Sequence, residues 1–321
     1  MEFPTELRYA LEQILAGQKQ NVLAMQAQSL SERYRFQTGS GHRLLTEDVQ
    51  AAAYAAVRMP ATFGAVCKVL EETLRCTDIH PSTLLDVGAG TGSASFAAAE
   101  FLSLNRVICL EREGAMSRLG KRLMQQAGSN CLKQAVWKDC DLVQKPALDR
   151  ADLVIASYVL GEMNPSDRKI VAGNLWEATG QMLLIVEPGT PAGFAQLKDL
   201  RSLLLSRGAH LAAPCPSGQA CPIPEGDWCH FTCRIARSKL HRQLKGADAP
   251  YEDEKFCYLA LTKKPSRPAP ARIRRHPRIE PGKITLELCT KTGFRQAVLR
   301  KRDGSLFKQA RKSSCGDQWD G

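Results

Sequence analysis

The stretch LLDVGAGTGSASF, residues 84–96, constrains the fold more than any other part of the chain. A short apolar run from Leu84 to Val87 stops at Gly88 and passes through Gly90 and Gly92 into a helix-compatible segment. Strand, glycine turn, helix is the opening of a parallel α/β unit, because closely spaced glycines let the backbone turn sharply and approach a ligand where any Cβ would intrude. Further apolar runs follow in RVICLE, ADLVIASYV and MLLIVEPG, each bounded by Gly, Asp or Pro and separated by helical stretches. That alternation predicts an α/β fold, a Rossmann-like sheet with helices on both faces.

The chemistry of the loop narrows its ligand. A nicotinamide site wants glycine at position 93 to seat a pyrophosphate, and Ser93 stands there. Asp86 instead completes the acidic-x-Gly-x-Gly-x-Gly pattern that cups S-adenosylmethionine, with Gly88, Gly90 and Gly92 as its glycines. Glu111 closes the second strand, where a carboxylate accepts from both ribose hydroxyls. Asp139 or Asp141 in WKDCDL flanks the adenine, and the residues alone leave that choice open. Ser157, Tyr158 and Gly161 end the fourth strand at the mouth of such a sheet, where a methyl group would point. Methyl transfer depends mainly on alignment, so no catalytic residue is legible. The segment SYVLGEMNP also lacks the Asn-Pro-Pro-Tyr signature of amine acceptors.

Outside this core the texture changes. Residues 1–80 read as a helical N-terminal module, with Leu7, Leu11, Ile14 and Leu15 on one face and an Ala-rich helix broken near Pro60. Residues 81–210 form the cofactor-binding α/β domain, and 211–265 a cysteine-rich segment that completes it. Within that segment RIARSKLHRQLKG is helix-compatible and YEDEKFCYLALTKK reads as an edge strand. Residues 266–321 are a basic proline-rich linker, PSRPAPARIRRHPRIEPGK, followed by a small β meander with a turn at Asp303-Gly304.

Charge and cysteine content bear on partners. Residues 231–321 hold 22 Lys and Arg against 9 Asp and Glu, while the rest of the chain is slightly acidic. A one-ended excess of that size suits a polyanion, above all nucleic acid, since neutralising phosphates releases counterions. No apolar run is long enough to cross a membrane. The opening MEFPTELRYALEQ lacks the layouts of secretion signals and transit peptides, so a bacterial cytoplasmic location is expected, with a monomer favoured. Twelve cysteines in a reducing compartment point to burial or metal rather than disulfides. Cys67, Cys76, Cys109, Cys131 and Cys140 read as small core residues or inert thiols.

Cys215, Cys221 and Cys229 differ. They lie in PCPSGQACPIPEGDWCHFTC, where four prolines discourage helix and strand, so something other than a hydrogen-bond ladder must hold the loop. Cys289, Cys233 and Cys257 compete as a fourth ligand. Four soft thiolates suit zinc or an iron-sulfur cluster, and the wide intervals fit a cubane better than the short pairs of zinc ribbons. His230 reads as a loop histidine or an RNA contact.

The strings SERYR, AYAAVRMPAT, LLDVGAGTGSASF, APCP with DWCHF, RSKLHRQLKG, YEDEKF, ELCT and GDQW together resemble the methyltransferase-like proteins that assist small ribosomal subunit assembly in mitochondria, with their bacterial relatives. The resemblance spans nearly the whole chain. It implies an S-adenosylmethionine-type α/β domain, a [4Fe-4S] cluster on Cys215, Cys221, Cys229 and Cys289, and contact with small-subunit ribosomal RNA on the assembling subunit. It makes Cys257 a bystander and implies an assembly factor that keeps methyl transfer open. Two other readings are a non-catalytic RNA-binding module with a structural cofactor and a zinc-bound small-molecule methyltransferase.

Overall fold

The computed structural model describes residues 3–36, 47–144 and 146–321. Three helices come first: α1 (Thr5–Leu15), α2 (Gln20–Phe36) and α3 (Asp48–Leu74). The SERYR string closes α2, and its side chains lie outside the described residues, as does the start of the LTEDVQ segment. Then follow β1 (Thr83–Val87), α4 (Ser93–Phe101), β2 (Arg106–Leu110), α5 (Gly114–Gln125), α6 (Asn130–Lys133), β3 (Val136–Lys138), β4 (Ala151–Ser157), α7 (Pro165–Ala178), β5 (Thr179–Pro188), α8 (Pro191–Ser206) and β6 (His210–Ala213). The C-terminal third carries β7 (Phe231–Ala236), α9 (Lys239–Lys245), β8 (Tyr251–Thr262), β9 (Ala271–Ile273), β10 (Arg278–Glu280), β11 (Lys283–Thr290), β12 (Gly293–Arg300), α10 (Gly304–Lys312) and β13 (Gln318–Trp319).

The larger sheet runs β3-β2-β1-β4-β5-β8-β6, with β7 also paired to β8. The first five strands are parallel and β8 is antiparallel to β5. Alternate residues serve opposite layers, as the pleat requires. Leu153 and Ile155 of β4 pack with α3 and α4 on one face, while Val154 and Ala156 pack with α7 and α8 on the other. Burial on both faces is why these strands read as unbroken apolar runs.

Four sequence expectations are corrected here. Pro60 does not break α3, which continues to Leu74. The lost backbone bond costs about 3 kcal/mol, and burial of Met59, Pro60 and Phe63 on a helix enclosed by α2, α4, α5 and β7 outweighs it. The YEDEKF strand β8 is no edge: β5 lies along one side, and β6 and β7 share the other. The proline-rich stretch after Pro265 is more than a linker, since β9 and β10 form within it and join β11, β12 and β13 in a second, five-stranded sheet. Asp303-Gly304 opens helix α10 rather than a hairpin turn.

The second sheet has its own small core. Ile273, Ile284, Leu286, Leu288 and Leu299 pack with Ala310 of α10 and with Trp319, which is 1 % exposed. It docks on the first domain through a buried ion pair between Arg272 and Glu72 of α3. Burial alone would raise the Glu72 carboxyl, but Lys68 and Arg272 hold it below its usual range. Among the described residues no helix is long and apolar enough to cross a membrane.

Candidate functional site: a glycine-loop cleft and a thiol-lined cavity

The glycine loop lies at the carboxyl end of β1, and Gly88, Gly90 and Gly92 all have positive φ. A Cβ on Gly88 would sit 2.5 Å from Val159 Cγ2, so the close approach of loop and β4 end requires glycine there. Asp86, expected to touch the cofactor, instead lies fully buried beneath the loop. Its Oδ2 accepts from the Ser95 amide (3.0 Å) and hydroxyl (2.7 Å), tethering the first turn of α4. Burial pushes its carboxyl up to about 6.

A cleft of about 320 Å³ opens above the loop, lined by Gly88, Gly90, Glu111, Asp141, Ser157 and Tyr158 among others. Gly92 and Asp139 are not on its wall, so of the two candidate adenine acids only Asp141 faces the space. Glu111 spans the floor: its Oε2 accepts from the Gly90 amide (2.6 Å) and its Oε1 from the Glu113 amide (2.8 Å). Helix α3 roofs the cleft with Tyr54 and Thr62, which local sequence patterns did not signal.

The cleft is acidic. Burial pushes Glu162, on its wall, up to about 8, with Arg112 opposing and Glu111, Glu187 and Glu113 adding to the rise. Behind it Glu187, buried and accepting from the Leu160 (2.9 Å) and Gly161 (3.2 Å) amides, is raised to about 7 by burial. Tyr158 adopts φ 56°, unusual for a bulky side chain. Its hydroxyl donates to Glu254 Oε1 (3.0 Å), and Arg58 grips the same carboxylate with both terminal nitrogens. A carboxylate-lined cleft of this size accommodates one small cationic ligand. The glycine cradle and a wall of buried carboxyls that a bound cation would help to ionise therefore fit a sulfonium cofactor.

A second cavity, enclosing about 60 Å³, lies where the loop after β6 meets the small sheet. Cys215, Cys221 and Cys229 line it from the loop, Cys289 from β11 and Cys257 from β8. Cys233 is not on its wall and packs toward Gly64 of α3 instead. The Cys257 thiol donates to the Pro188 carbonyl at 3.2 Å. Burial, then repulsion from Cys215, Cys315, Cys289 and Cys221, drives the Cys229 thiol well above its ordinary range. Cys289 is pushed up to about 11 by burial and by Cys215 and Cys221. Among the described residues no three His, Cys, Asp or Glu side chains stand at the spacing that holds a metal ion.

Arginines hold this loop in place of a hydrogen-bond ladder. Arg201, 5 % exposed, donates to the Ser217 (2.8 Å) and Gln219 (2.6 Å) carbonyls. Arg272 Nε donates to Pro214 (3.1 Å), and Arg274 and Arg275 both pair with Asp227. Two further donors, Arg201 Nε and Arg272 Nη2, are buried without an acceptor beside the thiols. Orphaned N–H groups next to a set of soft donors suit an anionic sulfur-rich group better than an apolar void. His230 stacks on Trp228, with ring centroids 5.5 Å apart, outside the cavity wall.

Strand order 3-2-1-4-5 with an antiparallel strand beyond, and a ligand cleft at the glycine turn, define a Rossmann-like α/β fold of the S-adenosylmethionine methyltransferase type. Among solved structures, the chain is similar to magnesium protoporphyrin IX methyltransferase from Synechocystis PCC 6803 with bound SAH, at TM-score 0.42 and 15% identity, over 68% of this chain and 88% of that one. The chain belongs to the family described as mitochondrial small ribosomal subunit Rsm22, whose model matches residues 48–320.

Two curated relatives give the family context. The human mitochondrial ribosome assembly protein METTL17 is 31% identical over 289 residues, covering 82% of this chain and 61% of the relative. The mitochondrial Rsm22-cox11 tandem protein 2 of Schizosaccharomyces pombe is 23% identical, over 84% of this chain and 43% of the relative. The chain thus spans about three fifths of the human protein's length or less than half of the yeast one's. These matches overturn the bacterial cytoplasmic location, because family and relatives alike are described as mitochondrial. The opening residues misled because they form a packed helix with Leu7, Leu11 and Leu15 buried, so their composition reports packing rather than an address.

Proposed function

We propose that this protein binds S-adenosylmethionine and a [4Fe-4S] cluster and acts on the assembling small ribosomal subunit, docking on its RNA through the basic C-terminal third. The observation that carries the reading is the thiol-lined cavity, built from a proline-rich loop and a strand of a different sheet, with two acceptorless arginine N–H groups beside it. Cys215, Cys221, Cys229 and Cys289 would hold the cluster, with Cys257 as the neighbour engaged elsewhere. The cluster supplies thiolate–iron bonds that join loop to sheet and favour ionised sulfur. Arg201 and Arg272 would donate to its anionic sulfurs, and the buried setting would exclude water from them.

In the glycine-loop cleft Glu111 would accept from the ribose hydroxyls and Asp141 would flank the adenine. Glu162 and its acidic neighbours would balance the cofactor's positive charge. When bound, the cofactor supplies a methyl group on a sulfonium centre. Tyr158, locked by Glu254 and Arg58, shapes the opening through which an acceptor nucleotide would reach it.

Anaerobic purification followed by assay of iron, sulfide and zinc tests the cluster. Iron and sulfide in equal amounts, lost in Cys289→Ser and kept in Cys233→Ser, is the expected result. Zinc in place of iron, or a colourless metal-free protein, defeats the reading. Gly90→Asp, which forces a side chain into a left-handed position beside Glu111, should weaken S-adenosylmethionine binding roughly tenfold or more by equilibrium dialysis. Labelled methyl transfer to small-subunit RNA, absent in that variant, would add catalysis to assembly.

A further inference from the structure

The second sheet has two faces: one is covered along its length, and the other only at its Cys289 end, where the proline-rich loop closes the thiol-lined cavity. In the register of β11 with β12, Ile284 faces Leu299 and Leu286 faces Ala297 on the side packed against α10. The opposite side carries Phe294, Gln296, Val298 and Arg300 on β12, opposite Cys289, Glu287, Thr285 and Lys283 on β11. Phe294 is 43% exposed and Val298 50%. β12 pairs with β11 alone, so it is an edge strand. Arg274 lies over the Phe294 ring, 4.8 Å from its centroid, and is itself anchored to Asp227 and Glu287.

The charge around this face is one-sided. Lys291, Arg300, Lys301 and Arg302 stand on or at the rim of this face, all exposed and none in a salt bridge among the described residues, while its one acid, Glu287, is paired with Arg274. Basic side chains on an edge strand also guard against edge-to-edge pairing. That purpose needs one or two charges and is poorly served by an exposed phenylalanine and valine between them. Cations that track a phosphate backbone, beside an aromatic ring that is part exposed and backed on one side by an anchored guanidinium, form the combination that binds single-stranded nucleic acid by stacking. A duplex hides its base faces, so an exposed ring gains little from one.

We propose that the face of β11 and β12 bearing Phe294 and Val298, with the cationic turn Arg300–Arg302 at its end, binds an unpaired stretch of RNA with one base stacked on Phe294. The inference rests on the RNA reading above and assigns it to a surface and a substrate form. The test is binding of the full chain to a labelled unstructured oligouridylate of about ten nucleotides and to a duplex of equal length, across a salt series. Phe294→Ala should weaken single-strand binding roughly 5- to 150-fold with the salt slope unchanged, and Phe294→Tyr should restore it. A Lys301→Ala, Arg302→Ala pair, at exposed positions remote from the core, should lower the salt slope by about two.

Wild-type protein that binds neither RNA at low salt would sink the RNA reading itself. Wild-type binding untouched by Phe294→Ala and by the paired variant would leave that reading standing and overturn this surface. Preference for the duplex would overturn it equally.

Discussion

The two sheets of this protein are stabilised differently. The larger one buries apolar side chains on both faces under helices, and its parallel ladder is continuous from β3 to β5. The smaller one has a core of eight buried residues and reaches the rest of the molecule through arginines: Arg272 to Glu72 and Pro214, and Arg274 and Arg275 to Asp227. A unit of that size gains little from its own core and depends on staples. Polar and thiol groups therefore concentrate where the apolar core is thinnest, and the cavity with the most cysteines sits at that junction.

Truncating the small core should have the largest effect. Trp319→Ala removes its biggest buried side chain and should cost about 3–5 kcal/mol locally. Hydrogen exchange would then rise in β9, β11 and β13 while β1, β4 and β5 stay protected. If all strands lose protection together, the two sheets unfold as one unit and the contrast fails. A smaller loss is expected for Arg201→Ala, which leaves the Ser217 and Gln219 carbonyls without their donor. The cost is about 1–3 kcal/mol, and limited proteolysis should cut first within residues 214–230.

The smallest effect sharpens the other side of the comparison. Glu162 is raised to about 8 and Glu187 to about 7, so the folded protein holds protons that the unfolded chain releases near the ordinary value of 4.5. Stability from these groups is complete below about 4.5 and is lost as pH rises through about 7 to 8. Glu162→Gln should flatten that decline in thermal melts recorded from acidic to alkaline pH. In the wild type a cationic cofactor should bind more tightly as pH rises through about 8, because it pairs with the ionised Glu162. A Glu162→Gln variant with the same pH profile would show that the cleft's charge lies elsewhere.

Legibility followed the range of the interactions. The β1 turn, the parallel strands and the glycine positions were readable because a pleated strand buried on both faces and a left-handed turn each leave a local imprint. Pro60 misled because α3 is held by neighbours contributed from the whole domain. β8 misled because a charged N-terminal half, Tyr251–Lys255, alternating exposed and part-buried residues, precedes the buried run that sits between β5 and β6. Glu162 and Glu187 carried no signal in SYVLGEMNP or IVEPG, since their character comes from burial beside each other and beside Glu111. Asp86 carried the right motif, yet its side chain turns to Ser95 and away from the cleft.

By itself the amino-acid order determined the alternating α/β core, the sharp glycine turn, the uneven charge and the membership of cysteines in a loop that prolines keep irregular. These are properties of neighbours along the chain, set by side-chain period, backbone freedom and composition. Only the tertiary structure decided that Cys257 and Cys289 face the same cavity as the loop thiols while Cys233 turns toward α3. It also decided that Asp141 and not Asp139 faces the cleft, and that Phe294 stays part exposed beneath Arg274. Those outcomes depend on which strands pair and in what register, and a one-residue shift in register would have turned each side chain to the opposite face.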